Sequence, residues 1–490
     1  MTLSRLRVRA GIAIAAGLAA VIGPAGLGPA GLGPASAAVA GGPGAWTKIA
    51  VTDSGFNQAG MLRTADGALH LVWRKRLQNG QFSLGWSTIS LGGKLKASGL
   101  ALSKWTLLQG DPKLVPDHGQ IRLIFIGGQD TNLNNFFSKG SIYTEVSSNG
   151  KSWALVRGSL ALHTVLNLDL GAVVEKDGAT PVTTFGLNNV LYYHQGVDAA
   201  APAAAPDGTA ATGPVATGIA GNVLARAKNG SIWVAWFDQG YWVRQILPSP
   251  AARLKAPSSG TAHSADNEPR QKVAFAARPG GGLYLAYCSP APNKPCAHID
   301  LWRVGSRHVM VVPGSRTGQA GKVSLAAAPG GRMWVSWFDF GSNTLHAVRT
   351  NKAVTRFGLP RSVKQPPATF IFDGLQSEGS SGRLDAVVNV LLNANNNPIE
   401  FWHTQILAGL SLTARPGRFS HRVATTVTFT VTDTGDRVQG ARVSCLGKHA
   451  TTNAQGQAKL KFPAGTHVGR HVCAATMTGY NTGKTTIRVT

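Results

Sequence analysis

Apolar residues recur along this chain in short stretches, and seven of the stretches end on a large apolar anchor. Successive anchors are 52, 60, 51, 51, 50 and 51 residues apart, and they are Trp73, Phe125, Phe185, Trp236, Tyr287, Trp337 and Val388. A turn signal precedes each anchor, and the signals are Asp66-Gly67, His118-Gly119, Asp177-Gly178, Asn229-Gly230, Gly281-Gly282, Gly331-Arg332 and Ser381-Gly382. Apolar and polar positions alternate between turn and anchor, which predicts a β-strand after each tight turn.

A period near fifty residues that combines a turn with alternating strands is typical of a β-propeller, with one four-stranded blade per repeat. The pattern predicts an all-β chain with a seven-bladed propeller over residues 38–407, and a six-bladed ring is the alternative. The seventh repeat, residues 384–406, ends before a fourth strand, whereas residues 46–51 belong to no repeat. We predict that residues 46–51 complete the last blade and close the ring, which leaves no open sheet edge.

A change in composition marks a second domain. All twelve tryptophans lie between Trp46 and Trp402, which places a boundary near residue 408. Residues 408–490 contain short alternating strands with turn residues between them, and this pattern predicts a β-sandwich. The module resembles bacterial Ig-like and carboxypeptidase-regulatory-like domains, and the matching segments are Gly440-Ala441-x-Val443, Thr452-Asn453-x-x-Gly456-x-Ala458, Pro463-Ala464-Gly465 and Gly479-Tyr480. The resemblance implies a spacer, stalk or adhesion module without catalytic residues.

The first residues have the features of a secretory signal peptide. Arg5, Arg7 and Arg9 precede an apolar run over residues 10–22, and Ala35-Ser36-Ala37 fits a cleavage site. We predict a signal peptide over residues 1–37, with an uncleaved N-terminal anchor as the alternative. No later stretch reaches the ~18 consecutive apolar residues that a membrane span needs. The sequence therefore predicts a secreted, extracellular protein, and association with the cell wall is open.

Four cysteines are an even number in an exported chain, which predicts disulfide bonds. Local pairing of Cys288 with Cys296 and of Cys445 with Cys473 is the simplest arrangement. A zinc site would add His467 and His471 as ligands, but their spacing suits a helix and their segment has the pattern of a strand and a turn. We predict two disulfides, no metal site and no cofactor.

The chain is strongly basic, with a formal net charge of +26. Residues 408–490 contain 11 Lys and Arg residues against only Asp433 and Asp436. Basic character outside the cell suggests weak attraction to anionic partners such as wall polymers, acidic glycans or lipid head groups. Solubility alone is the alternative. No run of Lys or Arg is long enough to predict a nucleic-acid patch, and we expect a monomer.

One local motif resembles a known family. Residues 147–153, Ser-Ser-Asn-Gly-Lys-Ser-Trp, are similar to the Asp-box of sialidase-like propellers at Gly150, Ser152 and Trp153, with Ser148 in the Asp position. The resemblance implies a hairpin turn that braces a blade away from the active site. The Phe-Arg-Ile-Pro signature of that family is absent, since the nearest segment, residues 61–64, has no proline. No glutamate of the repeats has a tyrosine partner in the sequence, and these residues are Glu145, Glu175, Glu268, Glu378 and Glu400.

The candidate catalytic residues are Asp238 and Asp339, which end two Trp-Phe-Asp triplets at equivalent places two repeats apart. Glycoside hydrolysis needs two carboxylates that face one cavity. The structural alternative is that each aspartate caps the turn after its strand, as Asp66 and Asp177 do in Asp-Gly turns.

Two functional hypotheses follow. The first is an exported, non-enzymatic protein whose ring binds a glycan or wall polymer through loops and exposed aromatic residues, with the sandwich as a spacer. The second is a glycoside hydrolase of sialidase-like architecture with an unrecognised carboxylate pair. The shortage of acidic residues favours binding. Residues 197–220 are almost all Ala, Pro, Gly and Thr, which predicts an excursion at the rim. The alternatives are a slack loop, a replacement for an outer strand and a lid.

Overall fold

In the computed structural model of the protein, the structure describes residues 43–52, 58–77, 80–105, 107–128, 140–162, 170–178, 180–187, 190–196, 209–211, 220–237, 240–259, 273–289, 296–393 and 398–490. The predicted signal peptide, Asp238, Glu268 and most of residues 197–220 lie outside these ranges.

The described residues form an all-β structure, as the alternation predicts, with one short 3-10 helix at Pro329–Gly331. Residues 47–406, which we call the ring, contain 28 strands. The first thirteen are β1 Thr47–Thr52, β2 Gly60–Arg63, β3 Leu69–Arg76, β4 Phe82–Ile89, β5 Leu95–Trp105, β6 Leu107–Asp117, β7 Gln120–Gly128, β8 Gly140–Ser147, β9 Ala154–Leu162, β10 Leu170–Val174, β11 Pro181–Leu187, β12 Val190–Gln195 and β13 Thr209–Ala211. The others are β14 Ala220–Arg226, β15 Ile232–Phe237, β16 Tyr241–Leu247, β17 Leu254–Lys255, β18 Ala274–Ala277, β19 Leu283–Ser289, β20 His298–Arg303, β21 Val309–Val311, β22 Ala320–Ala328, β23 Arg332–Asp339, β24 Thr344–Arg349, β25 Arg361–Lys364, β26 Ile371–Glu378, β27 Leu384–Leu391 and β28 Ile399–Ile406.

These strands form four-stranded antiparallel sheets that follow one another along the chain. β2–β5, β6–β9, β10–β13, β14–β17, β18–β21 and β22–β25 each form one sheet in chain order, and a seventh sheet has the order β1-β28-β27-β26. We interpret each of the seven sheets as one blade of the predicted propeller. Every predicted turn signal lies at the connection between the first and second strands of a sheet, and every predicted anchor lies in a second strand.

The ring is closed by the strand that the sequence predicts. β1 pairs antiparallel with β28, so that Thr47 faces His403 and Thr52 faces Ile399. An apolar core lies between each sheet and the next, and one of these cores joins the last sheet to the first. In that core the rings of Trp73 and Phe401 are 5.9 Å apart. Closure therefore buries apolar surface as well as pairing the edge of β28.

Part of the Ala-rich segment, residues 197–220, forms a strand. Thr209–Ala211 forms β13, which pairs with β12 as the fourth strand of the third sheet. These three residues thus take the place of an outer strand, as one of the alternatives predicts, and Ala220 begins β14. The rest of the segment lies outside the described residues.

Residues 408–490, which we call the sandwich, contain eleven strands. They are β29 Ala408–Gly409, β30 Ser411–Arg415, β31 Arg418–Phe419, β32 Thr425–Asp433, β33 Asp436–Arg437, β34 Arg442–Cys445, β35 Lys448–Thr451, β36 Gln457–Phe462, β37 Gly469–Thr476, β38 Tyr480–Asn481 and β39 Gly483–Val489. One sheet places β30, β33 and β36 around β32, and the other has the order β31-β39-β37-β34-β35. Their inward residues, among them Phe429, Phe462, Val443 and Ile487, share one core. We interpret this two-sheet unit as the predicted β-sandwich.

Both predicted disulfides are confirmed, since Cys288 is bonded to Cys296 and Cys445 to Cys473. Cys445 and Cys473 lie in the core of the sandwich, where they link β34 to β37. Among the described residues, no helix has the length and apolar composition of a membrane span.

Candidate functional site

A central cavity of about 230 Å³ lies where the first strands of the seven sheets meet. Its polar lining includes Gln58, Lys113, Asn222, Ser324 and Ser377, and none of its described lining residues is a carboxylate. Several of these groups bond to one another across the ring. Ser377 Oγ donates to Ser324 Oγ at 2.7 Å, and Asn222 Oδ1 accepts from the Thr184 hydroxyl at 2.6 Å. The cavity therefore offers hydroxyl and amide groups, which already join neighbouring sheets.

The candidate Asp339 ends β23 and is 3% exposed. Its Oδ1 accepts hydrogen bonds from the backbone N–H of Ser342 at 2.7 Å and from the Ser342 hydroxyl at 2.8 Å, and its Oδ2 accepts from the Thr317 hydroxyl at 2.5 Å. Although burial acts to raise the pKa of Asp339, these hydrogen bonds and the nearby His346 lower it below its usual range. Asp339 thus holds the connection between β23 and β24 together, as its structural alternative predicts. Asp238 lies outside the described residues, so the structure does not place it beside Asp339.

Two further aspartates support turns, as the Asp-Gly pattern predicts. Asp66 Oδ1 accepts from the backbone N–H of Ala68 at 3.1 Å, and Asp177 Oδ1 accepts from the backbone N–H of Thr180 at 3.0 Å. The hydrogen bond from the Thr64 hydroxyl is the main cause that lowers the pKa of Asp66.

The remaining carboxylates of the described chain are also engaged inside the protein. Of the 22 acidic residues, eight lie outside the described residues: Asp53, Asp130, Asp169, Asp198, Asp207, Asp238, Asp266 and Glu268. Among the other fourteen, only Glu145 has no partner among the described residues. Glycoside hydrolysis requires two carboxylates that face one cavity, and the described lining of the central cavity contains none.

Glu145 lies on β8 opposite Leu123 and is 2% exposed. Its Oε2 has no hydrogen-bond partner among the described residues. Burial penalises the charged form and raises the pKa of Glu145 to about 7. Such a shift is common in catalytic acids, but Glu145 does not line the central cavity. We therefore treat it as a titratable group of the core.

Arg63, in the segment nearest to the missing arginine signature, joins the first sheet to the seventh. Its Nε is 2.6 Å from Glu378 Oε2, and its Nη2 pairs with Asp385. The other oxygen of Asp385 is 2.8 Å from His403 Nε2. The Arg63 and Asp385 side chains are 5% and 0% exposed. This network therefore stabilises ring closure, and Arg63 is not accessible to the carboxylate of a substrate.

The Asp-box-like segment forms the turn between β8 and β9, as the resemblance implies. The side chain that braces this turn is Asn149, whose Oδ1 accepts from the backbone N–H of Lys151 at 2.8 Å and of Ser152 at 2.9 Å. Ser148, which stands at the aspartate position in the sequence, is next to it in the chain. Gly150 has a φ of +70°, and a Cβ there would lie 2.1 Å from His70 Nδ1, so only glycine fits against the neighbouring sheet.

Exposed aromatic residues are scarcer than the binding hypothesis expects. All twelve tryptophans are described, and none is exposed: seven are buried and five are half-buried. The half-buried Trp242 is covered by basic side chains, with Arg253 4.3 Å and Lys255 5.4 Å from its ring centroid. The tryptophans therefore stabilise the ring and offer no open platform for sugar rings.

Both acidic residues of the sandwich contact the ring, at a site that we call the junction. Asp433 Oδ2 is 3.0 Å from Arg332 Nε and 2.6 Å from Arg349 Nη2, and Asp436 Oδ2 is 2.8 Å from Arg332 Nη2. The Arg349 guanidinium also lies 5.1 Å from the ring centroid of Tyr480. No sequence pattern indicated these contacts, because the partners are about 80 to 100 residues apart.

Since the junction uses both acids, the exposed cations of the sandwich have no carboxylate side chain near them in their own domain. Basic residues project from the outward faces of both sheets. The five-stranded sheet exposes Arg418, Arg442, Arg470, Lys484 and Arg488, and the opposite sheet exposes Arg415, Arg437, Lys459 and Lys461.

No family model matches this chain, and no curated protein matches its sequence. Among solved structures it is similar to a Trypanosoma rangeli sialidase mutant with trans-sialidase activity (10% identity, TM-score 0.39), over 72% of this chain and 54% of the sialidase chain. The chain thus covers about half of that protein. It is also similar to the β-propeller domain of the Trilobed protease from Pyrococcus furiosus (11%, 0.39, over 71% and 95%) and to a GH43_1 enzyme from Xanthomonas citri (10%, 0.32, over 73% and 88%). These proteins differ in function, and we draw no conclusion on activity from them.

Proposed function

We propose that this protein is an exported, non-enzymatic binding protein that attaches to an anionic extracellular polymer, an acidic glycan or a wall polymer. The ring serves as a rigid body, and the sandwich presents the charged surface. The two disulfides support an oxidising compartment, and the apolar N-terminal run with its preceding arginines supports export.

The observation that carries this proposal is the placement of charge. Asp433 and Asp436, the only acidic residues of the sandwich, pair with arginines of the ring at the junction. The eleven Lys and Arg residues of the sandwich are therefore left without an acidic side chain from their own domain. A solvated surface with one sign of charge raises the local concentration of oppositely charged polymers. Most described carboxylates already have partners inside the protein, which favours binding over hydrolysis. No described tryptophan is exposed, which favours binding by charge over aromatic stacking.

The experiment combines retention and turnover. We expect the mature full-length protein to be retained on resin that carries an acidic polysaccharide, to elute with added salt, and to pass through a neutral polysaccharide resin. We expect no turnover of arylated sugars or acidic glycans. Reproducible turnover that disappears in Asp238→Asn or Asp339→Asn would instead establish the hydrolase hypothesis.

A further inference from the structure

The five-stranded sheet of the sandwich has an outward face with an unusual row of arginines. Arg418 on β31 is the register partner of Arg488 on β39, and Arg488 is in turn the register partner of Arg470 on β37. All three residues are exposed. Because neighbouring strands lie about 4.8 Å apart, this arginine row places three cationic side chains next to one another on one line across the sheet.

The arginine row has no internal compensation in the described chain. Like charges directly opposite each other on neighbouring strands destabilise a sheet. None of the three side chains forms an ion pair or donates a hydrogen bond to a described residue. The arrangement therefore costs stability in the free protein, and a bound anion would relieve that cost.

The opposite sheet shows how the same domain spaces charge elsewhere. Arg415 and Lys459 both have Thr428 as their register partner, so a threonine separates the two cations, and Lys461 faces Thr426. Cations separated in this way contribute to solubility. Within the sandwich, the alignment of three arginines on one row is therefore specific to the five-stranded sheet.

The surroundings of the arginine row favour a polysaccharide. Val472 on β37 is 66% exposed and lies on the same outward face, two residues after Arg470. Its register partner on β39 is Thr486, which is also exposed. A sugar unit has an apolar ring face for Val472 and hydroxyl groups for Thr486, whereas an inorganic polyphosphate chain has neither. The planar guanidinium group matches a carboxylate in geometry and charge.

From this arrangement we propose that the outward face of the five-stranded sheet, centred on Arg418, Arg488 and Arg470, is the docking surface for an acidic polysaccharide that carries carboxylate groups on its sugar units. The inference rests on the proposed binding function and locates it on the sandwich.

The test compares two triple variants of the full-length protein. Arg418→Gln, Arg470→Gln and Arg488→Gln together remove the arginine row, and the matched control, Arg415→Gln, Lys459→Gln and Lys461→Gln, removes the same charge from the opposite sheet. With polygalacturonate as the probe at physiological ionic strength, we expect the first variant to lose affinity about tenfold or more and the control less than about threefold. Both variants are expected to fold, and the first should melt at least as high as the wild type because its like-charge contacts are gone.

A third variant, with lysine at the three positions of the arginine row, keeps the charge but lacks the planar fork. We expect its affinity to lie between those of the wild type and the glutamine variant. Equal losses in the first variant and its control would overturn the location and leave binding by charge intact. Equally tight binding of inorganic polyphosphate would overturn the assignment to a polysaccharide. Failure of the wild type to bind any anionic polymer would refute the proposed function itself.

Discussion

Arg349 of the ring donates a hydrogen bond of 2.6 Å to Asp433 of the sandwich, and the two side chains are only 5% and 1% exposed. Arg332 shares the same carboxylate at 3.0 Å. A spacer or stalk, which the domain resemblance implies, would be joined by a mobile linker. Buried ion pairs need fixed geometry to offset desolvation, so the sandwich is held in one orientation against the ring.

The first prediction concerns this junction. Asp433→Ala leaves the buried Arg349 without its carboxylate partner and removes one of the two carboxylates beside Arg332, and we expect a loss of about 3–5 kcal/mol in the free energy of unfolding. Asp436→Ala is the control, because Asp436 is more exposed and contacts only Arg332 and the backbone of Lys352. Urea denaturation measures both variants. Equal stability of Asp433→Ala and wild type would show that the junction contributes nothing.

The second prediction concerns Glu145, whose pKa is raised to about 7 from 4.5 by burial. Between these two values the folded state binds a proton that the unfolded state releases, so stability falls as pH rises from about 4.5 to about 7 and is constant above. Glu145→Gln cannot ionise. We expect its advantage over the wild type to be larger by about 3 kcal/mol near pH 8 than near pH 4.

Unfolding free energies of the wild type and Glu145→Gln at both pH values give this result as a difference, in which the titration of other groups cancels. A difference that does not change with pH would contradict the raised pKa.

The third prediction separates structure from catalysis at Asp339. Asp339→Ala removes the acceptor of three hydrogen bonds from Ser342 and Thr317. We expect a loss of about 1–3 kcal/mol in stability, because the connection between β23 and β24 loses three hydrogen bonds to a charged acceptor. Affinity for anionic polysaccharide should stay unchanged, since Asp339 lies on the ring. A loss of affinity without loss of stability would assign Asp339 to binding.

Much of the fold is predictable from the sequence, because it depends on local patterns. The fifty-residue period locates the second strand of every sheet, from Trp73 in β3 to Val388 in β27, and the lack of a fourth strand in the last repeat correctly predicts the closing strand β1. Strand β35 is not predictable in this way, since its residues lack the alternation of Val427 to Val431.

The sites were less predictable, because they depend on contacts between distant residues. Arg63 meets Asp385 across 322 positions, and Arg349 meets Asp433 across 84. Neither contact can be recognised from a local sequence pattern. The arginine row also depends on strand register, which the sequence leaves open: Arg470 and Arg488 become neighbours only once β37 and β39 are paired.

The fourth prediction concerns the disulfide between Cys445 and Cys473, which are 28 positions apart. Closing a loop of this size stabilises a domain by roughly 3 kcal/mol in the chain-entropy model. Cys445→Ala also leaves Cys473 as a buried thiol in the core of the sandwich. We expect the sandwich to melt in a separate, earlier transition while the ring keeps its own, which calorimetry would resolve. A single unshifted transition would contradict this.

The measurement that tests the central claim most directly is the affinity of the mature full-length protein for an acidic polysaccharide as a function of salt. If exposed cations of the sandwich hold the polymer, the affinity should fall steeply and continuously with ionic strength, because salt screens exposed charges beyond about 8 Å at physiological concentration. A neutral polysaccharide of similar length should not bind at any salt concentration. Affinity that is independent of salt, or equal affinity for the neutral polymer, would contradict the claim that this protein binds an anionic polymer by charge.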